Sequence, residues 1–124
     1  MSGPQALGNS GVTKELIKAA EPGAASVSKG NDVTVHCTGF LATEPPQKFW
    51  STRDEGQTPF SFPVDMGKVI KGWDIACMSM KKGESARFVI PSRMGYGRRG
   101  FAAWKIPPDA ELIFEIELLT INGQ

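Results

Sequence analysis

Apolar residues in this chain recur almost everywhere with a period of two, and the period changes only once. From Asp32 to Leu41 the pattern alternates, with Val33, Val35 and Cys37 on one side and Thr34, His36 and Thr38 on the other. Alternation over that length is the pattern of a half-buried strand. Ser85 to Pro91 repeats it through Ala86, Phe88 and Ile90, and Glu111 to Ile121 sets Leu112, Phe114, Ile116 and Leu118 against Glu115 and Glu117. Val12–Ile17, Lys48–Thr52 and Phe60–Phe62 read as shorter strands, separated by turn signals such as Glu21-Pro22-Gly23, Lys29-Gly30-Asn31 and Asp54-Glu55-Gly56-Gln57. The exception is the stretch after Gly67. Val69, Ile70, Trp73, Cys77 and Met80 fall at helical separations, which predicts one short amphipathic helix beginning near Ile70. Many antiparallel strands and a single helix define an α+β domain, a sheet curled over a helix.

A chain of 124 residues supports one such domain. We assign it to residues 11–124, after a disordered N-terminal tail over residues 1–10, which is small, polar and without the apolar segment of a secretory signal. Lys and Arg number 14 against 13 Asp and Glu, a net charge of +1 that argues against nucleic acid or a membrane surface as obligate partner. Arg98-Arg99 is a small basic spot that reads as a solvated loop tip. No window carries the roughly 18 apolar residues of a membrane span. Cytoplasmic location is the expectation.

Catalytic chemistry of the common kinds is poorly supplied. His36 is the only histidine, and Cys37 and Cys77 have neither CxxC nor zinc spacing, so no metal site is expected. There is no GxSxG nucleophile motif. Cys37 beside His36 makes a poor nucleophile–base pair, because neighbouring strand residues point to opposite faces. Two cysteines in a cytosolic chain are usually reduced and buried. A Cys37–Cys77 disulfide, or a redox switch built on it, stays open on sequence alone. What the chain does offer is an apolar pocket. Val69, Ile70, Trp73 and Ile106 can surround a small hydrophobic group, and Tyr96 adds a hydroxyl for one polar atom. The Gly-rich loop Ser92–Pro108 has a length that usually signals function.

Six blocks, in order, resemble the FKBP-type peptidyl-prolyl isomerases, the tacrolimus- and rapamycin-binding family. They are Val-His-Cys-Thr-Gly at 35–39, Lys-Phe-Trp-Ser-Thr-Arg-Asp at 48–54, Pro-Phe-Ser-Phe at 59–62, Val-Ile-Lys-Gly-Trp at 69–73, Tyr-Gly at 96–97 and Ile-Pro-Pro at 106–108. The resemblance runs from about Gly11 to Asn122. It implies a strongly bent antiparallel sheet wrapped around one short helix, rotation about X–Pro bonds without a cofactor, and action as a monomer on proline-containing peptides and proteins. It also implies binding of tacrolimus and rapamycin, and through the drug complex a composite surface for calcineurin or the rapamycin-target kinase.

The family's site carries over onto Trp73 as pocket floor, Phe49, Phe60 and Phe114 as aromatic walls, and Val69, Ile70 and Ile106 as aliphatic ones. The Ile70 backbone N–H and the Tyr96 hydroxyl correspond to its hydrogen-bond donors. Phe101 and Trp104 correspond to rim contacts on a flap running from Tyr96 to Ile106. Tyr96, Trp73, Phe49, Phe114 and Ile70 are thus the expected catalytic set. Three departures stand out. Cys37 replaces the family's tyrosine at the pocket edge, Trp50 replaces an aspartate, and the flap is one residue longer than the common pattern. With the Gln47–Thr52 run, these resemble the small cytosolic members of plants and protists. The second reading the sequence allows is a binding module that grips a partner's proline loop with turnover incidental, toward which the loss of the carboxylate at Trp50 points.

Overall fold

The structure is a computed structural model that describes residues 4–124. Seven strands, all antiparallel, form one open sheet: β1 (Gln5–Ala6), β2 (Thr13–Lys18), β3 (Asp32–Leu41), β4 (Gln47–Ser51), β5 (Phe60–Pro63), β6 (Ser85–Ile90) and β7 (Leu112–Ile121). Their order across the sheet is β1-β2-β6-β7-β3-β4, with β5 also paired to β3. One helix, α1 (Lys71–Met78), lies between β5 and β6 in the chain. The α+β expectation of a sheet and one short helix is met.

β3 and β7, each ten residues long, form the spine. They pair from Val33↔Ile121 to Leu41↔Leu112. The opposite edge of β3 is shared: Asp32–Val35 pairs with β5, and Thr38–Leu41 with β4. The alternating residues named above are the ones buried. Val33, Val35, Cys37, Ala86, Phe88, Ile90, Leu112, Phe114, Ile116 and Leu118 form one cluster with Trp73, Ala76, Cys77 and Met80 of the helical segment. Period two on the strands and 3.6 on the helix thus point the same apolar sets at one core.

Local contacts decide how closely the helix approaches. A Cβ on Gly72 would lie 2.5 Å from Ile90 Cγ2, so only glycine lets the first turn of α1 rest on β6. Asp74, in that turn and buried, accepts hydrogen bonds from the backbone N–H groups of Asp65 (2.8 Å) and Gly67 (3.3 Å). A carboxylate near a helix N-terminus is also favoured by the helix dipole. The contacts fix the loop that leads into α1. Beyond the other end of the helix, Lys14 Nζ donates to the Ser79 carbonyl at 2.8 Å and lies 2.6 Å from Glu84 Oε2, the latter an ion contact without hydrogen-bond alignment.

The N-terminal expectation needs correcting in part. Residues 1–3 of the expected tail lie outside the described residues. From Gln5, however, the chain forms β1 through Gln5↔Lys14 and Ala6↔Thr13, and the Leu7 N–H donates to the Val12 carbonyl at 3.0 Å. A two-residue strand has no periodicity to read, and pairing with β2 is what orders it. The expected loop Ser92–Pro108 is instead wound into three short 3-10 turns, Ser92–Met94, Gly97–Arg99 and Ala102–Trp104.

Candidate active site

A cavity of about 290 Å³ opens between α1, β4, β5, β7 and the flap, lined by Trp50, Phe60, Lys68, Val69, Ile70, Trp73, Tyr96, Trp104 and Phe114. Trp73 is its floor. Only 4% exposed, its indole is held by rings around it: Phe114 at 5.3 Å and Phe60 at 5.7 Å meet it edge-on, and Phe62 at 5.6 Å and Trp50 at 6.2 Å are tilted against it. Edge-to-face contacts of this kind are favourable beyond the area they bury. The indole is therefore fixed in place by its neighbours. Phe60 remains 38% exposed at the mouth, while Phe62, two residues on along β5, is core.

The flap is fastened by aromatic stacking. Trp104 stacks on Trp50 (5.1 Å, 14° between planes) and on Phe49 (5.6 Å, 29°), joining the third 3-10 turn to β4. Tyr96 stacks on Phe101 at 5.1 Å, and Phe101 and Ile106 form a bridge that closes the flap's tip. Gly100, at φ +63°, makes this closure possible: a Cβ there would lie 2.3 Å from the Ile106 carbonyl oxygen.

Polar groups in the cavity are few. Among the described residues, neither the Ile70 N–H nor the Tyr96 hydroxyl has a hydrogen-bond partner in the chain, and both are at the cavity wall. Ile70 precedes α1 with an extended ψ of 149°, so its carbonyl starts the helix by accepting from Trp73 and Asp74 while its N–H stays outside the ladder. Burial raises the Tyr96 pKa above 10.0, which keeps the hydroxyl a donor at neutral pH. No group of three or more metal-ligating side chains occurs among the described residues.

The structure thus brings together eight of the residues anticipated from sequence: Trp50, Phe60, Val69, Ile70, Trp73, Tyr96, Trp104 and Phe114. It adds Lys68, which sequence reasoning passed over although it directly precedes the Val-Ile-Lys-Gly-Trp block at 69–73. Four anticipated residues do not line the cavity. Phe49 lies behind the wall, edge-on to Phe114 at 5.8 Å and stacked on Trp104. Phe101 backs Tyr96, and Ile106 is buried beneath the flap, 3% exposed. Cys37, expected at the pocket edge, is in the core beside Val35, 1% exposed, because its side chain is too short to reach the cavity from β3.

Both thiols are free and buried. Burial pushes the Cys37 pKa well up, with further contributions from Cys77 and Glu115, and burial followed by Asp74 pushes Cys77 up to about 12. Thiols held protonated in this way are inert as nucleophiles. His36 directs Nδ1 to the Thr52 hydroxyl at 2.9 Å.

An antiparallel sheet and one helix enclosing a largely aromatic cavity, with two donors that have no partner among the described residues and no cysteine or histidine in the lining, define a site suited to holding a small apolar segment without covalent chemistry. The sequence pattern of FKBP-type peptidyl-prolyl cis-trans isomerases matches residues 23–119, and the chain belongs to that family of enzymes. It is 50% identical over 114 residues to the peptidyl-prolyl cis-trans isomerase FKBP12 of Arabidopsis thaliana, covering 90% of this chain and 99% of that protein. The protein of the same name from Vicia faba is 47% identical, with 88% and 96% covered. FK506-binding protein 1 of Saccharomyces cerevisiae is 45% identical, with 81% and 84% covered. Among the described residues, no helix is long and apolar enough to cross a membrane.

Proposed function

We propose that the Trp73–Tyr96 cavity is where this chain rotates X–Pro bonds, with an apolar residue before the proline, and that the same cavity takes tacrolimus and rapamycin. The carrying observation is the pairing of a fixed apolar floor with two donors, Ile70 N–H and Tyr96 hydroxyl, that have no partner among the described residues. Rotation about a peptide bond meets a barrier of about 18–20 kcal/mol because C–N resonance is lost. No covalent bond breaks, so the site need only favour the twisted amide over the planar one. The planar form is the more dipolar and the better hydrated, and a dry pocket disfavours it selectively. The proline ring rests on Trp73 between Phe60 and Phe114, while the two donors hold the flanking carbonyls. A millionfold acceleration corresponds to about 8 kcal/mol, a sum that differential desolvation and preorganised donors can share.

The reading extends to a cytoplasmic monomer, and two buried free thiols suit a reducing compartment. Calcineurin or the rapamycin-target kinase would meet the drug complex at the Arg53–Thr58 loop and the flap.

The test is isomerisation of a Leu-Pro peptide with and without tacrolimus, run beside a Trp73→Ala variant. Drug-sensitive turnover lost in the variant is expected. Turnover fully kept in Trp73→Ala removes the pocket-floor role. Tight drug binding without turnover leaves the binding-module reading, which the aromatic Trp50 in place of a carboxylate favours.

A further inference from the structure

Five cations stand in the segments that line or border the cavity. Lys68 lines the cavity itself, and Lys71 opens α1 directly after Ile70. On the flap, Arg98 and Arg99 stand in the 3-10 turn that follows Tyr96, and Lys105 follows Trp104. All five side chains are exposed. None takes part in an ion pair: those among the described residues are Lys14–Glu84, Lys48–Asp54 and Arg53–Glu117.

Acids that would neutralise this rim are scarce. The segment 92–108 holds Arg93, Arg98, Arg99 and Lys105 but no Asp or Glu. Arg93 is turned away, donating to the Ser10 carbonyl at 2.7 Å. Asp74 is buried and committed to the Asp65 and Gly67 N–H groups. Asp65 and Asp109 are the acids remaining beside these segments, and no carboxylate lines the cavity. In a chain of net charge +1, one cation in the cavity lining and four in the segments that border it, none in an ion pair among the described residues, are a segregation of charge.

We infer that this cationic rim selects proline segments flanked by carboxylate side chains, so that acidic neighbours of the X–Pro bond are preferred over basic ones. The inference rests on the isomerase reading above and adds a substrate class to it. A cavity of about 290 Å³ is at the small end for a ligand site, so a peptide seated on Trp73 must lead its flanking residues out across the rim. An extended chain advances about 3.3 Å per residue, which puts side chains two or three positions from the proline over Lys68 and Lys71 on one side and Arg98 and Arg99 on the other. Pairs formed there stay exposed to water. Each contributes about threefold, mostly by steering encounter, and salt weakens it.

Three Leu-Pro peptides that differ only in carrying two Glu, two Gln or two Lys outside the Leu-Pro unit test this. Isomerisation gives kcat/KM for each, and fluorescence of the cavity tryptophans gives Kd, at low and at high salt. The Glu peptide should exceed the Lys peptide by about tenfold at low salt, with the gap closing at high salt. In an Arg98→Glu/Arg99→Glu variant, and independently in Lys68→Glu, the ratio should fall to one or below. Equal kcat/KM for the Glu and Lys peptides at low salt, with the Gln peptide turned over normally, overturns the inference alone. Turnover of none of the three overturns the isomerase reading, and the fluorescence titration then still decides the charge preference.

Discussion

Gly39→Ala places one methyl group where two site rings meet. Gly39 is buried on the face of β3 that carries Val33, Val35 and Cys37, opposite both Trp50 of β4 and Phe114 of β7. A Cβ there would lie 2.7 Å from Phe49 Cζ, 2.8 Å from Phe114 Cε1 and 2.9 Å from Phe49 Cε1. Ordinary contact begins at 3.4 Å, so each ring would have to retreat by about half an ångström or more. Neither can do so freely. Phe114 is 1% exposed and pressed edge-on to Trp73, and Phe49 is stacked on Trp104. Overpacking against rigid neighbours costs about 1–3 kcal/mol, which in a domain of this size lowers Tm by about 4–12 °C. Because the rings displaced are the cavity wall and its backing, kcat/KM toward a Leu-Pro peptide should fall as well. Calorimetry and a urea titration measure the first effect and the isomerase assay the second. A Gly39→Ala/Phe49→Leu double variant tests the cause, since removing the ring that the methyl meets should return part of the loss through a coupling energy. A Tm within about 1 °C of the parent, or strict additivity in the double variant, refutes the reasoning.

Two further perturbations follow from buried ionisable groups. The Cys77 pKa is about 12 in the folded protein against an ordinary 9.0, so the native state holds its proton longer than the unfolded chain. The associated stability is complete below pH 9 and falls by about 1.4 kcal/mol per pH unit as pH rises toward 12. A Cys77→Ala variant should therefore show a shallower alkaline decline of the urea midpoint than the parent, and equal slopes would exclude the thiol as the cause. Lys14→Met leaves Glu84 as a buried carboxylate without its cation, at side-chain exposures of 11% and 8% for the pair, and should cost about 3 kcal/mol. Adding Glu84→Gln should recover much of that, and a second loss of the same size would show that the two side chains act separately.

The strands and the helix were legible because each buries one face, and burial of one face writes its period into the sequence. Boundaries agree within one or two residues: β3 matches Asp32–Leu41, and α1 starts at Lys71, one residue past the expected Ile70. β1 escaped because two residues cannot display a period. In the candidate site, residue types were legible and directions were not. Phe49 and Trp50 are adjacent on β4 and by alternation should face opposite sides, yet both meet Trp104. The register between β3 and β4 shifts between Gly39 and Phe40, and a bulge of that kind re-aims side chains. A bulge depends on pairing with a distant strand, so no local pattern announces it. Cys37 was misplaced for a related reason: position on the right face does not give reach, and a thiol ends where a phenol ring would continue.

In most enzymes the working groups are polar residues held at a cost to stability. Here the cavity wall is mostly aromatic and aliphatic, and the contacts that fix Trp73 against Phe60, Phe62 and Phe114 serve the core and the candidate site together. Replacing Trp73 by alanine should thus remove about 3–5 kcal/mol of stability along with activity, and the wall leaves little freedom for changing one without the other. The rim is different. Lys68, Lys71, Arg98, Arg99 and Lys105 are exposed and form no ion pair among the described residues, and substitutions at such positions usually move stability by less than about 0.5 kcal/mol. Charge reversal at Arg98 and Arg99 is therefore expected to alter substrate preference at the rim while the proposed isomerising wall stays intact, which would separate selection of the substrate from the reaction itself.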